Sequence, residues 1–333
     1  MRYEDWLDQV SVLFEERRPG EGEDSFYAAC GPGCAVAAVA DGSGGLGSRR
    51  YAAFRSHTGA YLGSRVVSAA VEQWFAACGG RWTSGLDAAR ALDGYLRRGF
   101  QICLERLAGE AEREGIGSLS RPLPSTLALL ALRRVGEETR LCVVWAGDSR
   151  VYLLDERGLR QLTRDDVEGG SAEDLSIDGA LENVLSADGN FRLNTACCTL
   201  RRPCLVLAAT DGCFGYLQTP MEFEYYLLHA LTQSETPEGF ERSLRELLHD
   251  IAGDDFTLAY ASVGMGDFAA TRQRLLPRYQ WMWREVIAPL YEAYESGARE
   301  QIEQTQQRLW RAYRPDYERQ MAGEEIRRDG MPV

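Results

Sequence analysis

The sequence contains few histidines and no C-x-x-C pair of cysteines. The three histidines, His57, His229 and His249, lie far apart and have none of the spacings of metal ligands. The nine cysteines are scattered, and their number is odd. These absences disfavour a zinc hydrolase and a disulfide framework. Reduced thiols are typical of the cytoplasm, which is the location we expect.

Positive charge and long apolar runs are also scarce. The chain has 37 basic and 50 acidic residues and a formal net charge of −13, and such an acidic surface repels nucleic acid. It has no apolar run of about eighteen residues that could span a membrane. Residues 1–10 carry acids where a signal peptide is basic and then apolar. We therefore expect no nucleic acid and no membrane as partners, whereas hard oxygen ligands suit magnesium or manganese.

A glycine-rich turn follows an apolar run in the stretch CAVAAVADGSGGLG, residues 34–47. Gly42, Gly44 and Gly47 match the pattern G-x-G-x-x-G, which occurs in dinucleotide-binding oxidoreductases. That interpretation requires a parallel strand–helix–strand unit with an acid about twenty residues further on. Residues 61–75 look helical instead, and no such strand end follows. The pattern by itself is therefore a weak signal.

The residues before the glycine turn predict a β-hairpin. Two apolar runs in residues 24–41 flank the sequence GPG, which is a strong turn signal. A turn centred near Pro32 places Glu23 and Asp24 opposite Ala40 and Asp41. Three carboxylates would then gather at the open end of an antiparallel hairpin, and this antiparallel pairing disfavours the dinucleotide interpretation.

The remaining pattern predicts one α+β domain over residues 1–265 and a helical extension over residues 266–333. Short apolar runs between 125 and 163 are separated by turn residues and predict an antiparallel meander. An acidic, turn-rich stretch at 165–200 predicts an exposed flap with one short helix. The other predicted elements are helices at 59–77 and 86–115, a strand at 204–212, two further helices and a strand at 254–264.

The extension is rich in Arg, Gln, Glu, Trp and Tyr and fits two amphipathic helices divided near SGA, residues 296–298. Their apolar faces would consist of Trp281, Trp283, Leu290, Tyr291, Trp310 and Tyr313. We expect these faces to pack on the domain. In the alternative, part of the apolar surface binds a protein partner.

Acidic residues stand at the ends of several apolar strands. Asp41 and Asp211 each follow such a run, Asp148 follows a third, and Asp254 with Asp255 precedes a fourth. An isolated Asp-Gly at a strand end is usually a turn. Desolvated acids without basic partners cost free energy, so four such places favour a site in which cations supply the missing charge. Two hard cations generate hydroxide at neutral pH and hold a phosphoryl group for in-line attack.

The order of these motifs resembles the metal-dependent Ser/Thr protein phosphatases of the PPM family, also called type 2C. The resemblance runs from about residue 10 to residue 264 and rests on EDSF, VADGSGG, GAYLGSRVV, AGDSRVYLL, LTRDD, LAATDG and DDFTLAYASV. It implies an αββα sandwich, in which two antiparallel sheets lie between helices and the metals bind at one end of the sheets.

The resemblance also implies roles for individual residues. Asp41 would bridge two Mn²⁺ or Mg²⁺ ions, Asp211 and Asp254 would complete the first, and the Gly42 carbonyl would bind the second. Glu23 and Asp24 would hold waters on the second metal or reach it directly. A bridging water would then attack a phosphoserine or phosphothreonine.

The sequence departs from the family pattern at several positions. The arginine that usually precedes the Glu-Asp pair would be Arg17 or Arg18, of which Arg18 is favoured, although the spacing is lengthened. Ser43 and Asp166 replace histidines found in other members. Gly215 stands where many members carry an acid, so a third metal on Asp148 and Asp211 is expected to be weak or absent. An insertion at residues 46–58 is expected to border the cleft.

Two functions follow from the sequence. The first is a phosphoprotein phosphatase whose partner is a phosphorylated protein, such as a Ser/Thr kinase or its target. The second is a catalytically weak scaffold of the same fold that binds a kinase or another partner through its helical tail. The intact acids favour the enzyme, whereas the arginine spacing and the added tail leave the scaffold as the alternative function.

Overall fold

Two five-stranded antiparallel sheets form the centre of the computed structural model, which describes residues 10–111, 121–167 and 181–319. The first sheet contains β1 (Val10–Glu15), β8 (Arg150–Asp155), β9 (Gly158–Gln161), β11 (Cys204–Ala209) and β12 (Phe256–Val263). The second contains β2 (Ser25–Gly31), β3 (Cys34–Ala40), β6 (Leu127–Val135), β7 (Glu138–Ala146) and β10 (Asn194–Leu200). Their strand orders are β1-β12-β11-β8-β9 and β10-β7-β6-β3-β2, and a two-stranded ribbon pairs β4 (Arg50–Tyr51) with β5 (His57–Thr58).

Helices cover the outer faces of both sheets. The helices are α1 (Gly59–Cys78), α2 (Gly85–Ala111), α3 (Pro220–Gln233), α4 (Pro237–Ile251), α5 (Phe268–Met282), α6 (Ala288–Ser296) and α7 (Arg299–Tyr317). One core lies between the sheets, a second between the second sheet and α1 and α2, and a third between the first sheet and α3–α7. This arrangement confirms the predicted αββα sandwich. Within the described ranges, no helix is both long enough and apolar enough to cross a membrane.

The predicted hairpin is present as β2 and β3, but its register differs by one residue from the prediction. Ser25 pairs with Ala40, and Gly31 pairs with Cys34. The turn is therefore the two-residue loop Pro32–Gly33, in which Gly33 has a φ of 69° that favours glycine. Asp24 consequently lies opposite Asp41 rather than Ala40, so the shift keeps the acids at the same end of the hairpin.

The predicted meander is wrong in one connection. β6 pairs with β7 and β8 pairs with β9, but β7 and β8 belong to different sheets. The turn after β7, where Gly147 has a φ of 90°, carries the chain across the sandwich. Short-range alternation predicts strands but does not identify the sheet to which each belongs.

The predicted flap is also shorter than expected. Its last part, Asn194–Leu200, is the edge strand β10, which pairs with β7. Because the polarity of NTACCTL is mixed, its local pattern does not predict this strand, which is stabilised by a distant partner. Residues 168–180 lie outside the described part of the chain, and residues 181–193 contain no helix.

The helical extension packs on the first sheet and α3, as expected. Leu290, Trp310 and Tyr313 are buried in the core that they share with α3, whereas Trp281 and Trp283 are exposed. The buried carboxylate of Glu224 in α3 receives a bidentate ion pair from Arg278, with contacts of 2.6 and 3.1 Å, and a hydrogen bond from the Tyr313 hydroxyl. The predicted division falls at Gly297, whose φ is 65°. The position of the domain boundary stays a prediction.

Candidate metal centre

The antiparallel topology brings all the strand-end acids to one end of the sandwich. Asp41 follows β3, Asp148 follows β7 and Asp211 follows β11, while Glu23 and Asp24 precede β2 and Asp254 precedes β12. The strands on which these acids lie belong to both sheets. We call this region the acidic end.

Asp24 lies at the buried base of the acidic end. Its Oδ2 accepts hydrogen bonds from the hydroxyls of Thr210 and Thr257, at 2.8 and 2.6 Å. Burial and then the negative charges of Asp211 and Asp255 raise the pKa of Asp24 to about 7, although both hydrogen bonds lower it. The first sheet therefore fixes the orientation of an acid that comes from the second.

Asp41 is held through its backbone, which leaves its carboxylate available. Its N–H donates to Thr126 Oγ1 at 3.0 Å, and the Thr126 N–H donates back to the Asp41 carbonyl at 2.8 Å. Desolvation raises the pKa of Asp41 well above its ordinary value, and the charges of Asp211, Asp24 and other acids add to this effect. Such mutual influence requires several carboxylates to lie near one another.

Asp148 and Asp211 belong to the same group of acids. Desolvation and the charge of Asp211 raise the pKa of Asp148 to about 7. Desolvation and the charge of Asp254 raise the pKa of Asp211. Asp148 Oδ1 is buried without a hydrogen-bond partner in the described part of the chain. A buried oxygen without a donor is costly, and a cation would satisfy it.

Glu23 lies beside the insertion at residues 46–58. The hydroxyl of Thr58, at the end of β5, donates to Glu23 Oε1 at 2.5 Å. Burial and the charges of Asp254 and Asp255 raise the pKa of Glu23, while Thr58 lowers it. A Cβ on Gly44 would lie 2.5 Å from Glu23 Oε2, so the glycine turn leaves room for this carboxylate. The insertion therefore borders the cleft.

Gly42 is required by close packing rather than by an unusual backbone angle. A Cβ there would lie 2.4 Å from the carbonyl oxygen of Ala60 in α1, and its φ is not positive. The Gly42 N–H donates to the Glu23 carbonyl at 3.2 Å. The close approach joins the glycine turn, β2 and the start of α1 into one support for the acids.

The candidate donor atoms at the acidic end are carboxylate oxygens, and such donors suit Mg²⁺ or Mn²⁺. In the described ranges, however, no three His, Cys, Asp or Glu side chains converge as a ready-made metal site. The nearby cation Arg150 is already engaged, because Asp165 binds it through both carboxylate oxygens, with a shortest contact of 2.6 Å. Arg150 is therefore not free to neutralise the acids of the acidic end.

The two candidate phosphate-binding arginines lie on the loop between β1 and β2. Arg18 is exposed and pairs with Glu21 at 4.0 Å. The Arg17 N–H donates to Asp255 Oδ1 at 2.7 Å. Burial raises the pKa of Tyr216, and the charges of Asp254 and Asp211 raise it further. The charge of Arg17 lowers it. Arg17 is thus electrostatically linked to a residue beside the acids, whereas no such link is found for Arg18 among the described residues.

The sequence reasoning missed the supporting roles of Asp255 and Asp166. Asp255 accepts hydrogen bonds from the N–H groups of Arg17 and Glu23, both at 2.7 Å, and so anchors the loop before β2. Asp166 accepts from the Gly147 N–H and from the side chains of Asn183, Asn194 and Arg192. Asp166 therefore ties residues 183–194 to the turn that carries Asp148. The acid in place of histidine in LTRDD was the available signal.

Two other departures have structural consequences. Ser43 Oγ, next to Gly42, is buried without a hydrogen-bond partner in the described ranges. A Cβ on Gly215 would lie 3.0 Å from the Asp211 carbonyl oxygen, so a larger residue there would require this oxygen to shift. Whether a third metal binds at Asp148 and Asp211 stays a prediction.

The fold and the acids together define an αββα sandwich with an acidic, oxygen-only centre at one end. Residues 17–249 match the family model described as Protein phosphatase 2C. Because the match covers more than half of the chain, the protein belongs to the protein phosphatase 2C family, whose members are protein serine/threonine phosphatases. A search of curated proteins finds no match.

Similar solved structures come from bacterial phosphatases. The serine/threonine phosphatase PstP/Ppp of Mycobacterium tuberculosis is 24% identical with a TM-score of 0.53, and the match covers 77% of this chain and 98% of that one. Stp1 from Staphylococcus aureus is 16% identical with a TM-score of 0.56, covering 77% and 94%. The catalytic domain of PstP in complex with 2 manganese ions is 21% identical with a TM-score of 0.50, covering 76% and 97%. These similarities support the fold.

Proposed function

We propose that the protein is a metal-dependent phosphatase that hydrolyses phosphoserine and phosphothreonine in proteins. The observation that carries this proposal is the group of carboxylates at the acidic end, which raise one another's pKa and leave Asp148 Oδ1 without a partner. Two Mn²⁺ or Mg²⁺ ions bound there would lower the pKa of a water shared between them and neutralise the phosphoryl oxygens. The manganese in the PstP structure supports this choice of metal.

Each acid has a proposed role in holding the metals. Asp41 would hold both ions, Asp211 and Asp254 would help to hold the first, and the Gly42 carbonyl would help to hold the second. Glu23 and Asp24 would hold the waters of the second ion or reach it directly. Asp148 would contribute to a third, weak site. These roles agree with the fixed backbone of Asp41 and with the room that Gly44 leaves for Glu23.

The substrate phosphate requires a positively charged partner outside the acids. Arg18 and Arg17 are the two candidates, and Asp255 anchors the backbone N–H of Arg17. Replacing each with alanine separately distinguishes them. Removal of the arginine that binds substrate phosphate should raise KM for a phosphopeptide, whereas removal of the other arginine should leave KM unchanged.

The decisive experiment is manganese-dependent hydrolysis of p-nitrophenyl phosphate and of a phosphothreonine peptide. We expect turnover with Mn²⁺, none with EDTA, and little effect of alkylating the cysteines under native conditions. Asp41→Asn should abolish turnover, whereas the matched control Asp250→Asn, at an exposed position in α4, should retain it. Activity of Asp41→Asn within a few-fold of the wild type would overturn the assignment.

A second candidate function is the weakly catalytic scaffold. Its support is the two exposed tryptophans near the end of α5, Trp281 and Trp283, whose exposed fractions are 38% and 44%. A protein partner, for example a kinase, would cover them. A folded wild type that binds Mn²⁺ but lacks turnover on both substrates would favour the scaffold. We propose a cytoplasmic location for either function, in line with the scattered and odd-numbered cysteines of the sequence.

A further inference from the structure

The end of the sandwich opposite the acids contains a cavity of about 950 Å³. It lies at the end of β6, the start of β7, the turn between β8 and β9, and the connection from β10 to β11. The strands between the two ends are short. With about 3.3 Å per residue, the six residues of β11 separate this cavity from Asp211 by about 20 Å. The cavity is therefore distinct from the candidate metal centre.

The cavity concentrates positive charge in an acidic protein. Six arginines line it, namely Arg133, Arg140, Arg157, Arg160, Arg201 and Arg202. A single carboxylate, Asp155, lines it as well. Since the whole chain has a net charge of −13, this local excess of positive charge is opposite in sign to the rest of the molecule. We call this region the arginine end.

Most of this charge has no acidic partner. Within the described ranges, the ion pair among the cavity residues joins Arg160 to Asp155, and the Arg133 guanidinium donates to the Trp82 carbonyl at 2.5 Å. Arg140, Arg157, Arg201 and Arg202 form no ion pair with a described residue and are exposed at the rim. Guanidinium groups that crowd together without acids repel one another unless an anion joins them.

A buried donor points to the same conclusion. Arg160 is only 9% exposed, and its Nε is buried without a hydrogen-bond partner in the described part of the chain. A buried N–H without an acceptor costs free energy, and in a charged group this cost is larger. The ion pair with Asp155 therefore leaves Arg160, a residue of the cavity wall, with an incompletely satisfied guanidinium group.

We infer that the arginine end is a second, non-catalytic site that binds a ligand with two or more linked phosphate groups. Planar guanidinium groups bind phosphate oxygens in pairs of hydrogen bonds, which favours phosphate over other anions. One phosphate group carries about two negative charges, fewer than the excess of arginines over carboxylates, so a single phosphate would not neutralise the site. The volume lies within the range of about 300–1,000 Å³ that is usual for small-molecule sites, so a nucleoside diphosphate would fit.

Isothermal titration calorimetry in EDTA tests this inference without involving the metal centre. The titrants are pyrophosphate, ADP and orthophosphate. We expect pyrophosphate and ADP to bind at least about tenfold more tightly than orthophosphate, and the affinity to fall as salt is raised. Tighter binding of ADP than of pyrophosphate would identify a nucleotide as the ligand, and equal affinities would identify the diphosphate group alone as the recognised feature.

The matched variants are charge reversals at exposed positions. Arg201→Glu/Arg202→Glu should weaken pyrophosphate binding at least about tenfold, because two charge-assisted contacts are lost. Arg242→Glu/Arg308→Glu changes the net charge equally but away from the cavity, and should bind like the wild type. Both variants should melt like the wild type and keep metal-dependent turnover of p-nitrophenyl phosphate. Arg160 is avoided, since its removal would leave Asp155 buried and unpaired.

Three outcomes would overturn the inference. The first is that the wild-type protein fails to bind either diphosphate at millimolar concentration, and the second is that Arg201→Glu/Arg202→Glu binds pyrophosphate as tightly as the wild type. Binding of a phosphopeptide without binding of pyrophosphate would instead identify the region as a protein-docking surface. Because the readout is binding in EDTA, none of these results depends on whether the protein is an active phosphatase.

Discussion

The two ends of the β-sandwich carry opposite charges on the same strands. β7 begins beside Arg140 at the arginine end and leads to Asp148 at the acidic end. β11 follows Arg202 and leads to Asp211. Between these charged residues the strands are apolar, as in residues 141–146 of β7 and in the whole of β11, so no charge lies between the two ends on these strands. The comparison teaches that the buried strand interiors determine the layers of this fold, whereas the residues just beyond the strands determine what each end can bind.

The largest expected effect is the loss of catalysis at the acidic end. Asp211→Asn should lower turnover by more than about a thousandfold, roughly 4 kcal/mol of transition-state stabilisation, because a metal ligand is removed. Steady-state kinetics with p-nitrophenyl phosphate and saturating Mn²⁺ measures this. Arg201→Glu/Arg202→Glu at the other end serves as the control. Equal losses in both variants would contradict the separation of the two ends.

The helical tail offers a test of stability that should change neither end. Arg278→Met leaves the buried Glu224 carboxylate without its cation and should lower the free energy of unfolding by roughly 3 kcal/mol. Arg299 pairs with Glu303 at 2.7 Å but is exposed, so Arg299→Met should lower the free energy of unfolding much less than Arg278→Met. Urea unfolding measures both. Similar costs for the two variants would show that the tail is not held by this ion pair.

The pH dependence of the metal-free protein should reveal the acidic end. Asp24 and Asp148 have an ordinary pKa of 3.8, and the fold raises the pKa of each to about 7. Between these values the folded state binds more protons than the unfolded state. The free energy of unfolding therefore falls as pH rises from about 4 to about 7, and then levels off.

Thermal unfolding in EDTA between pH 5 and pH 8 measures this slope. Asp148→Asn should reduce it, because the variant has one acid fewer with a raised pKa. Mn²⁺ competes with protons for the acids, so its stabilising effect should grow as pH rises. A metal-free melting temperature that increases across pH 5–7 in the wild type but not in Asp148→Asn would contradict the account.

The smallest expected effect concerns the glycine turn. A Cβ on Gly44 would meet Glu23 Oε2, a flexible carboxylate that can rotate, whereas a Cβ on Gly45 would meet nothing within 4 Å. Gly44→Ala should therefore weaken manganese binding about threefold to tenfold, and Gly45→Ala should leave it unchanged. Calorimetric titration distinguishes the two variants. Equal manganese affinities in both would indicate that Glu23 takes no part in the metal centre.

The acidic end was predictable from the sequence to a larger extent than the arginine end. Asp41, Asp148 and Asp211 each stand next to a recognisable apolar strand, so topology alone brings them together. The hairpin was predicted, but its register depends on the turn at Gly33 and was wrong by one residue. Local patterns also failed for β10, whose partner β7 lies about fifty residues earlier in the chain.

The arginine end left no local signal in the sequence. Its six arginines are spread from Arg133 to Arg202, and only Arg201 and Arg202 are neighbours in the sequence. Antiparallel strands bring them together only because the connections at that end all face the same cavity. The contacts of Asp166 with Asn183 and Asn194 could not be predicted for the same reason, because they join segments that share no sequence pattern.

Direct manganese binding is the measurement that tests the central claim, namely that the acidic end is a metal centre. Electron paramagnetic resonance counts free Mn²⁺ in titrations of the wild type, Asp41→Asn and the control Asp250→Asn at pH 8. We predict two bound ions in the wild type and in Asp250→Asn, and a loss of at least one in Asp41→Asn. Equal binding in Asp41→Asn and the wild type, or no binding in the wild type, would contradict the account.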